Sequence, residues 1–158
     1  MIEGCKHESD EDDQAQGTDK VLYDLATSSA NFTWYKNSDA LLDRSPLSGH
    51  QEPYLRVRYN SVASAELDST GKVKQGIIFG EGALVVKELY ETTSKLGTYA
   101  IMYKNSGMAE ADETGWVWGY LFADGKVRVA ASEKGASCRN CHLQAGNIDL
   151  TMMNVSHP

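Results

Sequence analysis

Cys138, Cys141 and His142 are the residues of this chain whose types and spacing suit a defined chemistry. Two thiols three positions apart can each form a thioether with one vinyl group of a porphyrin. The imidazole directly after them then falls beneath the iron as its proximal ligand. The run Cys138-Arg139-Asn140-Cys141-His142 therefore reads as the attachment site of one covalent c-type haem. The chain has only three cysteines and four histidines in 158 residues, so chance assembly of this order is improbable. A thioredoxin-like redox pair would open a helix after a strand, near the start of a βαβ unit. Here the pair comes late, after a β-rich run. A zinc site would need a fourth ligand and usually a second Cys or His pair, and His157 is the only nearby candidate.

The elements that must position this motif read as α+β, mainly β. Tyr54–Tyr59 alternates in part and reads as a strand. Asn60 or Ser61 then caps a short helix through Leu67. A glycine-rich connection, Gly76 to Gly82, leads into Ala83–Tyr90, rich in β-branched residues. Tyr99–Tyr103 is a further strand. Trp116–Phe122 and Val127–Ala130 form a hairpin around Asp124-Gly125. The haem motif follows on a short helix beginning near Ser137. Thr18 or Asp19 caps an N-terminal helix beginning near Lys20, with Val21, Leu22, Leu25 and Ala26 on one face. The sum is an antiparallel sheet of about five strands with short flanking helices, since hairpin turns and strand spacing favour that over βαβ crossovers.

Length and composition set limits. With 158 residues and 41% hydrophobic content the chain suits one globular domain. Residues 1–19 are polar and acidic, with little to bury, and read as a disordered tether; 20–158 is the folded domain. No apolar run approaches a bilayer span. A net charge of −7 argues against nucleic acid and fits a small neutral substrate or a basic, soluble redox partner. Covalent haem attachment normally takes place outside the cytoplasm, so the expectation is a periplasmic protein whose export signal has been removed. Cys5, the odd cysteine, follows Ile2-Glu3-Gly4 and resembles the lipidated cysteine of a bacterial lipoprotein, although Glu3 fits poorly. It is either a lipid anchor or a free thiol.

From about Gln51 to Pro158 the chain resembles the cytochrome P-460 family, whose other branch is the β-sheet cytochrome c′-beta. The resemblance is carried by Phe79-Gly80-Glu81-Gly82-Ala83-Leu84-Val85-Val86-Lys87-Glu88-Leu89, by Trp116-Val117-Trp118, by the Cys138–His142 motif, and by Asp149 with Thr151-Met152-Met153-Asn154. It implies a homodimer and a five-coordinate, His142-ligated haem. It also implies one of two activities: oxidation of hydroxylamine, with a lysine bonded to a porphyrin meso carbon, or, in the other branch, nitric oxide binding or electron transfer without that bond. The matching lysine is Lys87. By alternation Val85, Lys87 and Leu89 share one face of their strand, so the ammonium lies between aliphatic neighbours, where burial is costly unless the amine is paired, neutralised or bonded. The resemblance further assigns Phe79 to a distal aromatic cap and Arg58 to the haem pocket. By residue type and strand alternation, Arg56 or Arg58, which share a face, could pair with a haem propionate, and Tyr54 could be a second distal aromatic. Relatives that oxidise hydroxylamine carry a pocket carboxylate on the next strand, where this chain has Ala100. Glu110, Asp112 and Glu113 lie in a loop that could supply one. Met102, Met108, Met152 and Met153 are candidate sixth ligands, with core filling as the alternative role.

Overall fold

The computed structural model describes residues 13–28 and 31–158. Cys5 and the first twelve residues of the acidic arm lie outside the described residues. One seven-stranded antiparallel sheet organises the rest. Its long central strands are β3 (Tyr54–Tyr59), β4 (Leu84–Thr92), β5 (Lys95–Lys104) and β6 (Trp116–Phe122), paired in that order. β7 (Val127–Val129) closes the β6 edge. The two strands beyond the expected five are two-residue pieces, β1 (Thr33–Trp34) and β2 (Leu42–Asp43), both paired to β3. Pieces so short leave no period-2 pattern to read.

The two faces of the sheet bury different things. One receives helix α1 (Gly17–Thr27), whose Leu22 and Ala26 pack with Leu84, Val86, Ile101, Val117 and Leu121. Gly119 makes that approach possible, because a Cβ there would stand 2.8 Å from Leu22 Cδ1. α1 starts at Gly17, three residues before Lys20, and lacks a side-chain cap. Asp19 instead accepts a hydrogen bond from Ala131 N at 2.8 Å. Asp13 to Ala15 hydrogen-bond to the β6–β7 hairpin, through Val127 N to Asp13 O and Ala15 N to Gly125 O. The helix after β3, α2 (Ser61–Ser64), ends earlier than expected and is capped by Asn60 Oδ1, which accepts from Ala63 N. No helix among the described residues is long and apolar enough to cross a membrane.

The other face carries the C-terminal segment: α3 (Arg139–His142), a turn at 148–151, and α4 (Met153–Ser156). Between this segment and the sheet lies a cavity.

Candidate haem site

Strand register sets the cavity floor. Residues paired across antiparallel strands point to the same face. Val57 pairs with Lys87, Lys87 with Ala100, and Ala100 with Tyr120, which makes one row. Tyr59, Val85, Met102 and Trp118 make the next. All eight line a cavity of ≈ 230 Å³, and Cys138, Cys141 and His142 line it too. The structure therefore brings Lys87 to the haem motif although fifty residues separate them.

The proximal side is held tightly. His142 Nδ1 lies 2.6 Å from Leu150 O, so its proton is donated to that carbonyl. Nε2 is left bare, without a partner among the described residues, as an iron ligand requires. Trp118 meets the imidazole edge-on, with centroids 4.9 Å apart. Asp112 Oδ2 accepts from Trp118 Nε1 at 2.8 Å and so fixes the indole. Asn147 Nδ2 donates to the carbonyls of Cys141 and His142, both at 3.0 Å, tying down the end of α3. Burial lowers the His142 pKa to about 4, keeping the imidazole neutral.

The turn that presents Leu150 O is anchored in turn. Asp149 and Leu150 both have positive φ, 42° and 66°, which is strained for such side chains. A buried ion pair holds them there: Lys104 Nζ stands 3.1 Å from Asp149 Oδ2, and both side chains are 7% exposed. Asp149 also accepts from Phe79 N, and its carbonyl accepts from Trp116 Nε1. Gly135, φ +70°, lies against Trp118; a Cβ there would fall 2.6 Å from the indole. Gly135→Ala is expected to destabilise the fold by about 1–3 kcal/mol, through overpacking and left-handed strain together, as read by chemical denaturation of the haem-loaded protein.

Lys87 is half-buried and has no acidic or hydrogen-bonding partner among the described residues. Desolvation alone brings its pKa down to about 8, so about a tenth of it is neutral amine at pH 7. The two thiols are free and half-buried, and burial pushes the Cys138 thiol up. Among the described residues no three His, Cys, Asp or Glu side chains gather to hold a metal ion. Two free thiols, a bare imidazole nitrogen and a cationic wall at Arg128 on one cavity fit a haem.

Three expectations fail on register. Lys87 pairs with Val57, so Arg58, one residue on, points to the opposite face. There Arg58 and Arg56 share Glu88, at 2.9 and 2.6 Å, and Arg58 packs on Phe32. Neither arginine reaches the cavity, and Tyr54 shares their face. Arg128 is the arginine that lines it. Phe79 is 2% exposed and packs on Trp116 in the core, outside the cavity. Glu110, Asp112 and Glu113 do not line it; Asp112 acts behind Trp118, and Glu113 pairs with Arg139. Met102, Met152 and Met153 do line it, whereas Met108 packs beside α1. Sequence reasoning missed His50, Tyr120 and Arg128. Tyr120 has the same strand parity as Trp118 and could have been placed; His50, alone in a loop, gave no signal.

A sheet whose cavity carries a c-type attachment motif defines a haem-binding cytochrome of unusual, β-rich build. Comparison with protein families matches residues 35–153 to the family described as Cytochrome P460, and the chain belongs to that family. No curated protein and no solved structure matches it.

Proposed function

We propose that the chain is a periplasmic mono-haem cytochrome, its haem joined to Cys138 and Cys141, ligated by His142 and bonded at its edge to Lys87, and that it oxidises hydroxylamine. The observation that carries this reading is the shared cavity of Lys87 and the pentapeptide, with the amine unpaired among the described residues and partly neutral. A neutral amine has the lone pair that attack on a porphyrin carbon needs; the new bond replaces that carbon's hydrogen and one amine hydrogen, so its formation takes an external two-electron oxidant, such as a peroxide, with release of two protons. When bound, the haem supplies an iron that takes electrons from a small nitrogen substrate and hands them to a soluble acceptor. The chain's own part is to fix His142 Nε2 through Leu150 O and to surround the substrate with Val57, Ala100 and Tyr120. Family membership supports a homodimer, and covalent attachment supports an extracytoplasmic location.

A second reading, a nitric oxide-binding or electron-transfer protein of the cytochrome c′-beta kind, is favoured by one feature: among the described residues no carboxylate lines the cavity, and Ala100 stands beside Lys87. Steady-state oxidation of hydroxylamine with an artificial electron acceptor separates the two. Turnover well above that of free haem is the expected result. Turnover no faster than free haem, in protein with full haem content, would leave the second reading.

A further inference from the structure

His50 is a cavity residue that neither the attachment motif nor the lysine explains. Its backbone is clamped: Ser48 Oγ accepts from His50 N at 3.2 Å, and Arg44 Nη1 donates to His50 O at 3.3 Å. Its ring packs against Tyr120, centroids 5.3 Å apart, with Nδ1 3.2 Å from the Tyr120 hydroxyl. Tyr120 is itself fixed from behind. Arg128 stacks over the phenol at 4.7 Å and is bound to Glu52 at 2.5 Å and to Thr98 Oγ1 at 3.2 Å.

Position relative to His142 gives this pair its meaning. His142 packs on Trp118, and His50 packs on Tyr120, two residues along the same face of β6 and so about 7 Å away. His50 thus belongs to the row of Lys87 and Ala100, the row in which the family resemblance implies a carboxylate. The buried Tyr59 hydroxyl, which lacks a partner among the described residues, belongs to the row of Trp118 instead.

Protonation follows from the contacts. Burial first, then the charge of Glu52, pushes the Tyr120 phenol up to about 12, so its proton stays on. Among the described residues that O–H has one partner, His50 Nδ1, to which it donates. Burial first, then the positive charges of Lys87 and Arg128, holds the His50 ring neutral, its pKa lowered to about 3. A neutral ring that accepts at Nδ1 carries its proton on Nε2, and Nε2 has no partner among the described residues.

We infer that His50, oriented by Tyr120, is the hydrogen-bond donor for the oxygen of an N–O ligand in this cavity, in the place where relatives use an acid. This rests on the reading that a haem occupies the cavity, and holds whether the ligand is hydroxylamine or nitric oxide. A fixed donor beside developing negative charge stabilises it without reorganisation. A neutral donor, unlike a carboxylate, does not repel an electron-rich oxygen.

The test uses haem-loaded wild type, His50→Leu, His50→Gln and Tyr120→Phe. Carbon monoxide is the vibrational probe and nitric oxide the kinetic one. In His50→Leu the C–O stretch should rise and nitric oxide should leave about 3- to 10-fold faster, the loss of one hydrogen bond. His50→Gln, which keeps an N–H donor, should recover part of both, and Tyr120→Phe should show a smaller change in the same direction. An unchanged stretch and off-rate in His50→Leu would overturn the inference. A low-spin wild type that turns high-spin in His50→Leu would also overturn it, by making His50 an iron ligand. Wild type lacking haem would instead defeat the proposed function, and this inference with it.

Discussion

Asp149→Ala should cost the haem-loaded protein about 3–5 kcal/mol of stability in a urea melt, the usual consequence of stranding one member of a buried ion pair. The side chains of Lys104 and Asp149 are each only 7% exposed, so water cannot replace the lost carboxylate. Phe79 N loses its acceptor as well. The damage should also reach the iron. Asp149 holds the left-handed turn that aims Leu150 O at His142 Nδ1, and a loosened turn lets the imidazole rotate. Asp149→Asn should be milder, since its amide oxygen can still accept from Phe79 N. Lys104→Met combined with Asp149→Asn removes the stranded charge and should recover much of the stability. A loss below about 1 kcal/mol in Asp149→Ala would mean that the pair carries no weight in the fold.

Lys87→Met should have the larger functional effect. It keeps the length and apolar stem of the side chain, so Val57, Val85 and Ala100 remain packed, but it removes the amine. The ferrous spectrum should revert to that of an ordinary c-type haem, and hydroxylamine turnover should fall about tenfold or more, equal to about 1.4 kcal/mol of barrier. Haem content should stay at the wild-type level, because Cys138, Cys141 and His142 are untouched. A variant with unchanged spectrum and turnover would show that Lys87 is only a wall of the cavity.

Much of this site could be read from residue types alone, and the physics says why. The pentapeptide is local, so its chemistry needs no knowledge of the fold. The parity of Val85, Lys87 and Leu89 is also local, and it put the lysine on the cavity face. Arg58 and Phe79 were misassigned because their placement depends on information that is not local. Arg58 sits one residue past the partner of Lys87, and a shift of one residue changes the face. Phe79 precedes β4 in an irregular segment, where no period tells inside from cavity. His50 was invisible for a related reason. A loop residue reaches a site by the path of the backbone, here the clamps from Ser48 and Arg44, and not by any repeat in sequence. The Lys104–Asp149 pair hid in the same way, since a lysine on an alternating strand reads as solvent-facing until the turn that covers it is known.

The central claim is that one porphyrin is held from two distant parts of the chain, the 138–142 motif and β4. Proteolysis of the mature holoprotein followed by mass spectrometry tests it most directly. The account predicts a single haem-bearing product in which the peptide containing Lys87 and the peptide containing Cys138 and Cys141 travel together, joined through the macrocycle. A Lys87 peptide recovered free at its unmodified mass would contradict the bond at β4. Recovery of the Cys138–Cys141 peptide with both sulfurs unmodified would contradict the site as a whole.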